Sequence, residues 1–341
     1  MLYYLSDYTE GAHPRILEKL QETNLISQPG YGEDVFCASA REKIRAACQK
    51  PEADVYFLAG GTQCNAVAIS SLLQRWEAVI AADTGHINVH EAGAVEFTGH
   101  KVIALPGRDG RLSAETVRDY CARFFADETH EAMPFPGMVY ISQPTELGTL
   151  YSKAELQALH AVCGEYGLRL FVDGARLGYG LMSPACDLSL PQLCDLCDVF
   201  YIGGTKVGAL CGEALVFPKG DMPRHMATLV KQQGAMLAKG RLLGIQFDVL
   251  FTDGLYFEIG RRAVALAMKL KAAFAEKGYP LFADSPTNQQ FPILTREQEE
   301  RLRQHAAFET WAPLPGGRVA VRFVTSWATR EEDVDALIAL L

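Results

Sequence analysis

Three short segments of this 341-residue sequence set reactive side chains beside glycines at the ends of apolar, strand-like runs. Val55 to Leu58 is followed by Ala59-Gly60-Gly61-Thr62-Gln63 and then by a helical run from Ala66 to Leu73. A Gly-Gly turn that opens a helix lets an anion meet free N–H groups and the positive end of the helix dipole, with Gly61, Thr62 and Gln63 as the candidate contacts. The same pattern also occurs as a plain turn. Arg169 to Val172 leads into Asp173-Gly174-Ala175-Arg176, a strand-end carboxylate that either caps the next turn or faces a ligand. Val199 to Ile202 leads into Gly203-Gly204-Thr205-Lys206, where Ile202, Val207, Ala209 and Leu210 frame a lysine instead of the usual solvated surface. Burial lowers a lysine pKa and leaves a nucleophilic amine, which is what a Schiff base with a carbonyl requires.

Together, an anion cradle, a strand-end carboxylate and a buried lysine match the needs of pyridoxal phosphate. The helix N-terminus would take the phosphate, Asp173 would pair with the protonated ring nitrogen, and Lys206 would form the Schiff base. Other catalytic signatures are missing: there is no G-x-S-x-G elbow, no Walker A loop and no G-x-G-x-x-G opening a helix after the first strand. His86 and His90 are spaced i, i+4, but Ile87 stands where a zincin carries its glutamate, so a metal is not expected there. Cys194 and Cys197 form a lone CxxC in an apolar helical stretch and read as buried thiols.

The elements that must position these residues alternate. Strand-like runs at Val55 to Leu58, Val79 to Ala82, Lys101 to Leu105, Met138 to Ser142, Arg169 to Val172, Val199 to Ile202 and Ala214 to Phe217 are separated by amphipathic helical patterns. This predicts an α/β fold with a mostly parallel seven-stranded sheet. Helices are expected from Ser113 through Phe125, and from a capping box at Ser152 and Glu155 to Tyr166. The dozen residues between Ile202 and Ala214 are too few for a crossover, so that pair is expected to be antiparallel. A long helical pattern from about Gly240 to Lys277 is read as a linking helix. It separates a large domain, residues 1–240, from a small α+β domain completing residues 241–341. Strands are expected there near Gln290 to Leu294, Phe308 to Trp311 and Val319 to Thr325, with helices from Arg296 to His305 and from Arg330.

Composition narrows the partners. Thirty-two basic against 41 acidic residues give a net charge of −9 with no basic stripe, which argues against nucleic acid. The longest apolar runs fall well short of the roughly 18 residues that span a bilayer. Acidic residues close behind Met1 argue against a secretory signal, and nine cysteines without framework spacing fit reduced thiols, so a cytoplasmic enzyme is expected.

Six segments extend this picture across nearly the whole chain: Ser6-Asp7; Tyr31-Gly32-Glu33-Asp34; Gly85-His86-Ile87 with Glu91-Ala92-Gly93; Asp173-Gly174-Ala175-Arg176; Gly203-Gly204-Thr205-Lys206; and Arg322-Phe323-Val324-Thr325. In this order they resemble the low-specificity L-threonine aldolase family of the β-eliminating lyase superfamily, which has the pyridoxal phosphate fold type I. The resemblance implies cleavage of L-threonine or L-allo-threonine to glycine and an aldehyde. Another β-eliminating lyase reaction or a phenylserine aldolase is the alternative, and a non-catalytic binding protein a distant one. It also implies that His86 stacks on the cofactor ring and takes part in proton transfer, and that Arg176 orients cofactor and substrate. Arg322 would fork onto the substrate carboxylate, with Ser6 and Tyr31 also at the substrate. Tyr31 and the segment Lys231 to Arg241, with Lys231, Lys239 and Arg241 as candidates, would come from a neighbouring subunit of a homodimer or homotetramer. One departure stands out. Many threonine aldolases carry Glu-Asn-Thr-His after the strand preceding the aspartate strand, whereas this chain reads Ser142-Gln143-Pro144-Thr145-Glu146-Leu147-Gly148 and lacks the second histidine.

Overall fold

The computed structural model describes residues 1–341. Seven strands form the central sheet: β1 Asp54–Leu58, β2 Glu77–Ala82, β3 Val102–Leu105, β4 Phe135–Ser142, β5 Arg169–Asp173, β6 Val199–Gly203 and β7 Glu213–Phe217. Their spatial order is β1-β7-β6-β5-β4-β2-β3, and only β7 runs against its neighbours. The short β6–β7 connection is therefore an antiparallel return, as its length required.

Side chains alternate across this sheet and both faces are covered, which is why the strands read as nearly unbroken apolar runs. Val139, Ile141, Leu170, Val172, Phe200 and Ile202 enter the larger core. Met138, Tyr140, Phe171, Val199 and Tyr201 point the other way into a second core under α2, Gly61–Leu72. Register sets Ser142 beside Asp173 and Phe171 beside Val199, so Tyr140, Asp173 and Tyr201 share one face at the carboxyl ends of β4, β5 and β6. The helices expected after Ser113 and Ser152 are present, the second with both bonds of its capping box.

The long helical pattern after Gly240 proves to be two helices, α3 Arg241–Leu250 and α4 Leu255–Glu276. Asp253 and Gly254 between them adopt left-handed backbone with φ of 53° and 70°, which ends the first helix and redirects the chain. Leu243, Phe247 and Leu250 of α3 pack into the large core with α1, Val35–Cys48, whereas Leu266, Leu270 and Phe274 of α4 face the small domain. That domain carries a four-stranded antiparallel sheet of β8 Leu281–Ala283, β9 Gln289–Thr295, β10 Glu309–Leu314 and β11 Arg318–Val324, in the order β10-β11-β9-β8. Strand β8 was not expected from the sequence. The N-terminal pair Leu2–Tyr3 docks in parallel on Ala306–Ala307, and Tyr4 is buried among small-domain residues, so the first residues of the chain tie both bodies together.

Helix α3 approaches α1 at Gly244, where a Cβ would lie 2.4 Å from the Cys37 sulfur and 2.6 Å from its backbone nitrogen. Gly244→Ala is expected to cost on the order of 3 kcal/mol by overpacking against backbone that cannot retreat. Gly164, in the helix Lys153–Tyr166, has no atom within 4 Å of the place a methyl group would take, and Gly164→Ala is expected to be neutral or to stabilise by about 1 kcal/mol. Urea midpoints of the two variants should move in opposite directions or, at the least, differ by that margin.

Candidate active site

Parallel sheets leave their strand carboxyl ends open to ligands. Here the ends of β1, β5 and β6 border a cleft of about 380 Å³ lined by Gly60, Gly61, Thr62, His86, Glu146, Asp173, Arg176, Tyr201, Lys206 and Glu213. Sequence-predicted residues from three distant segments thus meet in one place.

Asp173 is buried and carries four donors. The Tyr201 hydroxyl at 2.5 Å and the Ala175 N–H at 2.9 Å reach Oδ1, and the Tyr140 hydroxyl at 2.5 Å and the Asn65 amide at 3.1 Å reach Oδ2. Burial works against its charge, but the His86 ring and the Tyr140, Tyr201 and Ala175 donors outweigh burial and hold the carboxyl below its ordinary range. Both phenols are pushed well above theirs by burial, so they remain donors. The strand end itself depends on Gly174, since a Cβ there would lie 1.9 Å from the Tyr201 carbonyl oxygen.

Lys206 follows Gly203-Gly204-Thr205; its carbonyl accepts the Tyr179 hydroxyl at 2.5 Å, whereas its Nζ makes no hydrogen bond or ion pair and lies 5.9 Å from the centroid of the Tyr8 ring. Burial lowers its pKa and the Arg176 charge adds to this, with Asp7, Asp173 and Glu213 opposing. The result favours an amine that loses its proton readily. Arg176 forks onto Asp7, Nε to Oδ2 at 2.7 Å and Nη2 to Oδ1 at 3.0 Å, while the Asn288 amide donates to Oδ2 at 2.9 Å. The N-terminal segment therefore fixes the guanidinium that borders the lysine.

His86 opens a four-residue helical turn, His86–Val89, after β2. Its Nδ1 lies 2.6 Å from Oε1 of Glu91, a carboxylate whose side chain is fully buried, and the Asn65 amide donates to the same oxygen at 2.7 Å. Asn65 thereby bridges Glu91 to Asp173. A carboxylate on Nδ1 fixes the ring's orientation and favours the tautomer with that nitrogen protonated, leaving Nε2 for the cleft. The His90 ring sits 5.6 Å from that of His86, and no group of three metal-ligating side chains occurs in the chain.

Arg322 lies on β11 beside a second, adjoining cavity of about 280 Å³ that it shares with Tyr8, His86, Arg176 and Lys206. Its Nη1 donates to Gln289 Oε1 at 2.9 Å, its Nη2 pairs with Glu309, and the guanidinium stacks over Trp311 at 5.3 Å. Nε is buried without a partner.

Several expected residues lie elsewhere. The Gln63 side chain turns back to accept the Ala59 N–H at 3.0 Å, closing the turn, so of the three cradle residues only Gly61 and Thr62 line the cleft. Ser6 is buried beside Asp7 with its hydroxyl unpartnered and does not line it. Tyr31 is 52% exposed and sits under the Lys231 ammonium, 4.9 Å from its ring centroid, outside the cleft. Arg241 is committed within its own chain to the carbonyls of Ile26 and Thr23. Cys194 and Cys197 are buried free thiols. Asn65, Tyr140, Tyr201, Glu146 and Glu213 were not anticipated. For the tyrosines a signal existed: each lies on a strand flanking β5, in phase with Asp173.

The residues fit pyridoxal phosphate, the cofactor of fold type I enzymes. Helix α2 presents first-turn N–H groups of Gly61, Thr62 and Gln63 that no helical carbonyl can satisfy, and a side chain at Gly60 would fill open space above them. An ionised Asp173 suits a protonated ring nitrogen. Tyr201 is the one of its side-chain donors that lines the cleft.

Glu213 adds a pH dependence. Burial pushes its carboxyl up to about 8 from an ordinary 4.5, against the Thr205 bond and the Lys206 charge. Between these values the folded state binds a proton that the unfolded chain has released, so this group's contribution to stability declines as pH rises through that window. Glu213→Gln keeps the acceptor for the Gly204 N–H and is expected to flatten the fall in thermal midpoint between about pH 4.5 and 8. Midpoints of parent and variant measured across that range check it.

A model of the β-eliminating lyase family matches residues 5–329. The low-specificity L-threonine aldolase of Pseudomonas sp. (strain NCIMB 10558) is 30% identical over 340 residues, covering 98% of this chain and 96% of that protein. A solved structure of Leishmania major threonine aldolase is 42% identical with a TM-score of 0.97, covering 100% of this chain and 98% of that one. A Thermus thermophilus aspartate aminotransferase double mutant, 15% identical with a TM-score of 0.72 over 100% of this chain and 90% of its own, shares the fold. With a carbon–carbon lyase relative matching end to end and the cofactor-binding architecture in place, the chain belongs to the β-eliminating lyase family, in its threonine aldolase branch.

Proposed function

We propose that this enzyme cleaves L-threonine and L-allo-threonine to glycine and acetaldehyde with pyridoxal phosphate as cofactor. The convergence on one cleft of an unpaired Lys206 amine and a buried, ionised Asp173 carries this reading. When bound, the cofactor supplies a carbonyl for an amine and a protonated ring able to take up the electron pair released at Cα. Asp173 would keep the ring nitrogen protonated, and the first turn of α2 would hold the phosphate. Lys206 would present its unpaired Nζ to that carbonyl, and as an amine that loses its proton readily it could accept and return a proton at Nζ. Arg322 takes the amino-acid carboxylate in place of Glu309, and Arg176, locked by Asp7, orients the same end of the substrate. Fixing that carboxylate sets the angle of the Cα–Cβ bond, an effect that acts in the transition state. His86, oriented by Glu91, would cover the ring.

The enzyme is further proposed to work as at least a homodimer with shared sites, in a reducing cytoplasm that keeps its nine thiols free. Tyr31 is 52% exposed and pairs with the Lys231 ammonium outside its own cleft, which leaves both free to reach a neighbouring subunit. An isologous contact would bring that pair to the neighbour's substrate. No helix is long and apolar enough to cross a membrane.

Purified protein should turn L-threonine into glycine and acetaldehyde without releasing ammonia, and comparing the four threonine stereoisomers fixes the preference. Lys206→Ala should reduce turnover to background, and borohydride should label the Lys206 peptide of the parent. Ammonia as product, or a label on Lys153 or Lys231, would sink the assignment. For assembly, inactive Tyr31→Ala and Lys206→Ala proteins, mixed and reassembled, should recover roughly a quarter of parental activity, since half the dimers then hold one intact site. An active monomer in sedimentation would end the shared-site reading.

A further inference from the structure

Threonine cleavage needs a group that accepts the β-hydroxyl proton, and this chain lacks the second histidine that many relatives place after the strand before the aspartate strand. The segment that replaces it is held by internal hydrogen bonds. Gln143 clamps Tyr151 in both directions, its amide donating to the Tyr151 carbonyl at 3.1 Å and its oxygen accepting the Tyr151 N–H at 2.9 Å. Thr145 and Thr149 close a turn at 2.9 Å between their backbones. This loop carries Glu146, which lines both the cofactor cleft and the adjoining cavity that holds Arg322. Its two oxygens differ. Oε1 is pinned by the Ser142 hydroxyl at 2.7 Å and the His86 N–H at 3.0 Å, whereas Oε2 makes no hydrogen bond and is not among the buried unpartnered atoms, so it opens on the cleft.

We propose that Glu146 is a catalytic residue: its free Oε2 holds the substrate's β-hydroxyl and accepts the hydroxyl proton as the Cα–Cβ bond breaks. This deepens, and rests on, the aldolase reading above. The proton moves from oxygen to Glu146, the electron pair it leaves becomes the second bond of the aldehyde C=O, and the Cα–Cβ pair remains with Cα. Glycine then needs one proton on Cα, the same number Glu146 has received, so the sequence is redox-neutral and requires no further reactant. A carboxylate raised above its ordinary pKa by burial, as Glu146 is, is a better base than a solvated one. A helix-capping role alone would use Oε1 and leave no reason for Oε2 to face substrate.

The test separates the hydroxyl's proton from the rest of the chemistry. In the cofactor-loaded enzyme, exchange of the glycine α-proton with D₂O uses the cofactor, Lys206 and the carboxylate contacts but has no β-hydroxyl. Glu146→Gln, whose Oε1 can keep both pinning bonds, is expected to lower kcat for L-threonine by about 10²- to 10³-fold. Glycine exchange should stay within about threefold, and the bound cofactor's absorbance should not change. Loss of both activities together would make Glu146 a positioning residue, and loss of neither would remove it from the reaction; either overturns the proposal. So would the same selective loss in His90→Ala but not in Glu146→Gln. If Glu146→Gln fails to fold, Glu146→Asp should give the same split in smaller measure, and a parallel loss there counts equally against the proposal. A parent that exchanges glycine but does not cleave threonine overturns the aldolase reading itself, before any variant is compared.

Discussion

A single buried carboxylate at the end of a central strand organises this protein. Asp173 is out of water, where an ionised carboxylate is costly unless every lone pair is used. Four donors use them, and each comes from a different element: Tyr140 from β4, Tyr201 from β6, Asn65 from α2 and the backbone of the turn that Gly174 makes possible. Satisfying one charge thus fixes the relative positions of three strands and the helix that opens the phosphate cradle. The same network runs on through Asn65 to Glu91 and His86, so the orientation of the imidazole over the cleft and the ionisation of the strand-end carboxylate are not independent.

A second buried charge pair does for the small domain what Asp173 does for the sheet. Asp7 joins Arg176, on the turn after β5, to Asn288 in the stretch before β9, while Leu2–Tyr3 pairs with Ala306–Ala307. Two bodies that contribute different halves of the site, Lys206 from one and Arg322 from the other, are held in register by the first few residues of the chain. Breaking such a pair leaves an uncompensated charge out of water, a penalty far larger than the pair's net contribution to stability.

The sequence revealed what local pattern encodes. All seven strands of the large sheet are recognisable because burial on both faces demands continuous apolar runs, and the antiparallel return at β6–β7 follows from loop length alone. Asp173 and Lys206 could be picked out because glycines mark where backbone must turn tightly beside a reactive group. What stayed hidden depends on contacts between distant segments. Asn65 looks like any polar residue on a helix until the fold sets it between Glu91 and Asp173. Glu213 looks like a strand-end surface residue until β7 inserts between β1 and β6. The break between α3 and α4 was missed because Asp253 adopts left-handed backbone, which a helical hydrophobic period does not register.

The loop that carries Glu146 belongs to a part of the site that can vary without moving the others. A residue that takes a hydroxyl proton must reach the bond next to Cα, on the open side of the cleft, while the cofactor-facing groups stay where the sheet places them. A loop anchored by Gln143 and Thr145 to its own return segment, and to Asp173 only through the Gln143 N–H on its backbone carbonyl at 2.8 Å, can carry a different side chain without displacing any of the four donors to the Asp173 carboxylate. A carboxylate there is tolerated because one oxygen is neutralised by the Ser142 hydroxyl and the His86 N–H, leaving a single oxygen to be satisfied from the cleft. The bond to the His86 backbone also ties this exchangeable loop to a residue that lines the cleft. In this chain, selectivity for the substrate's hydroxyl and orientation of its α-carbon are therefore carried by separate segments, joined through the His86 N–H, the Ser142 hydroxyl and the Gln143 N–H.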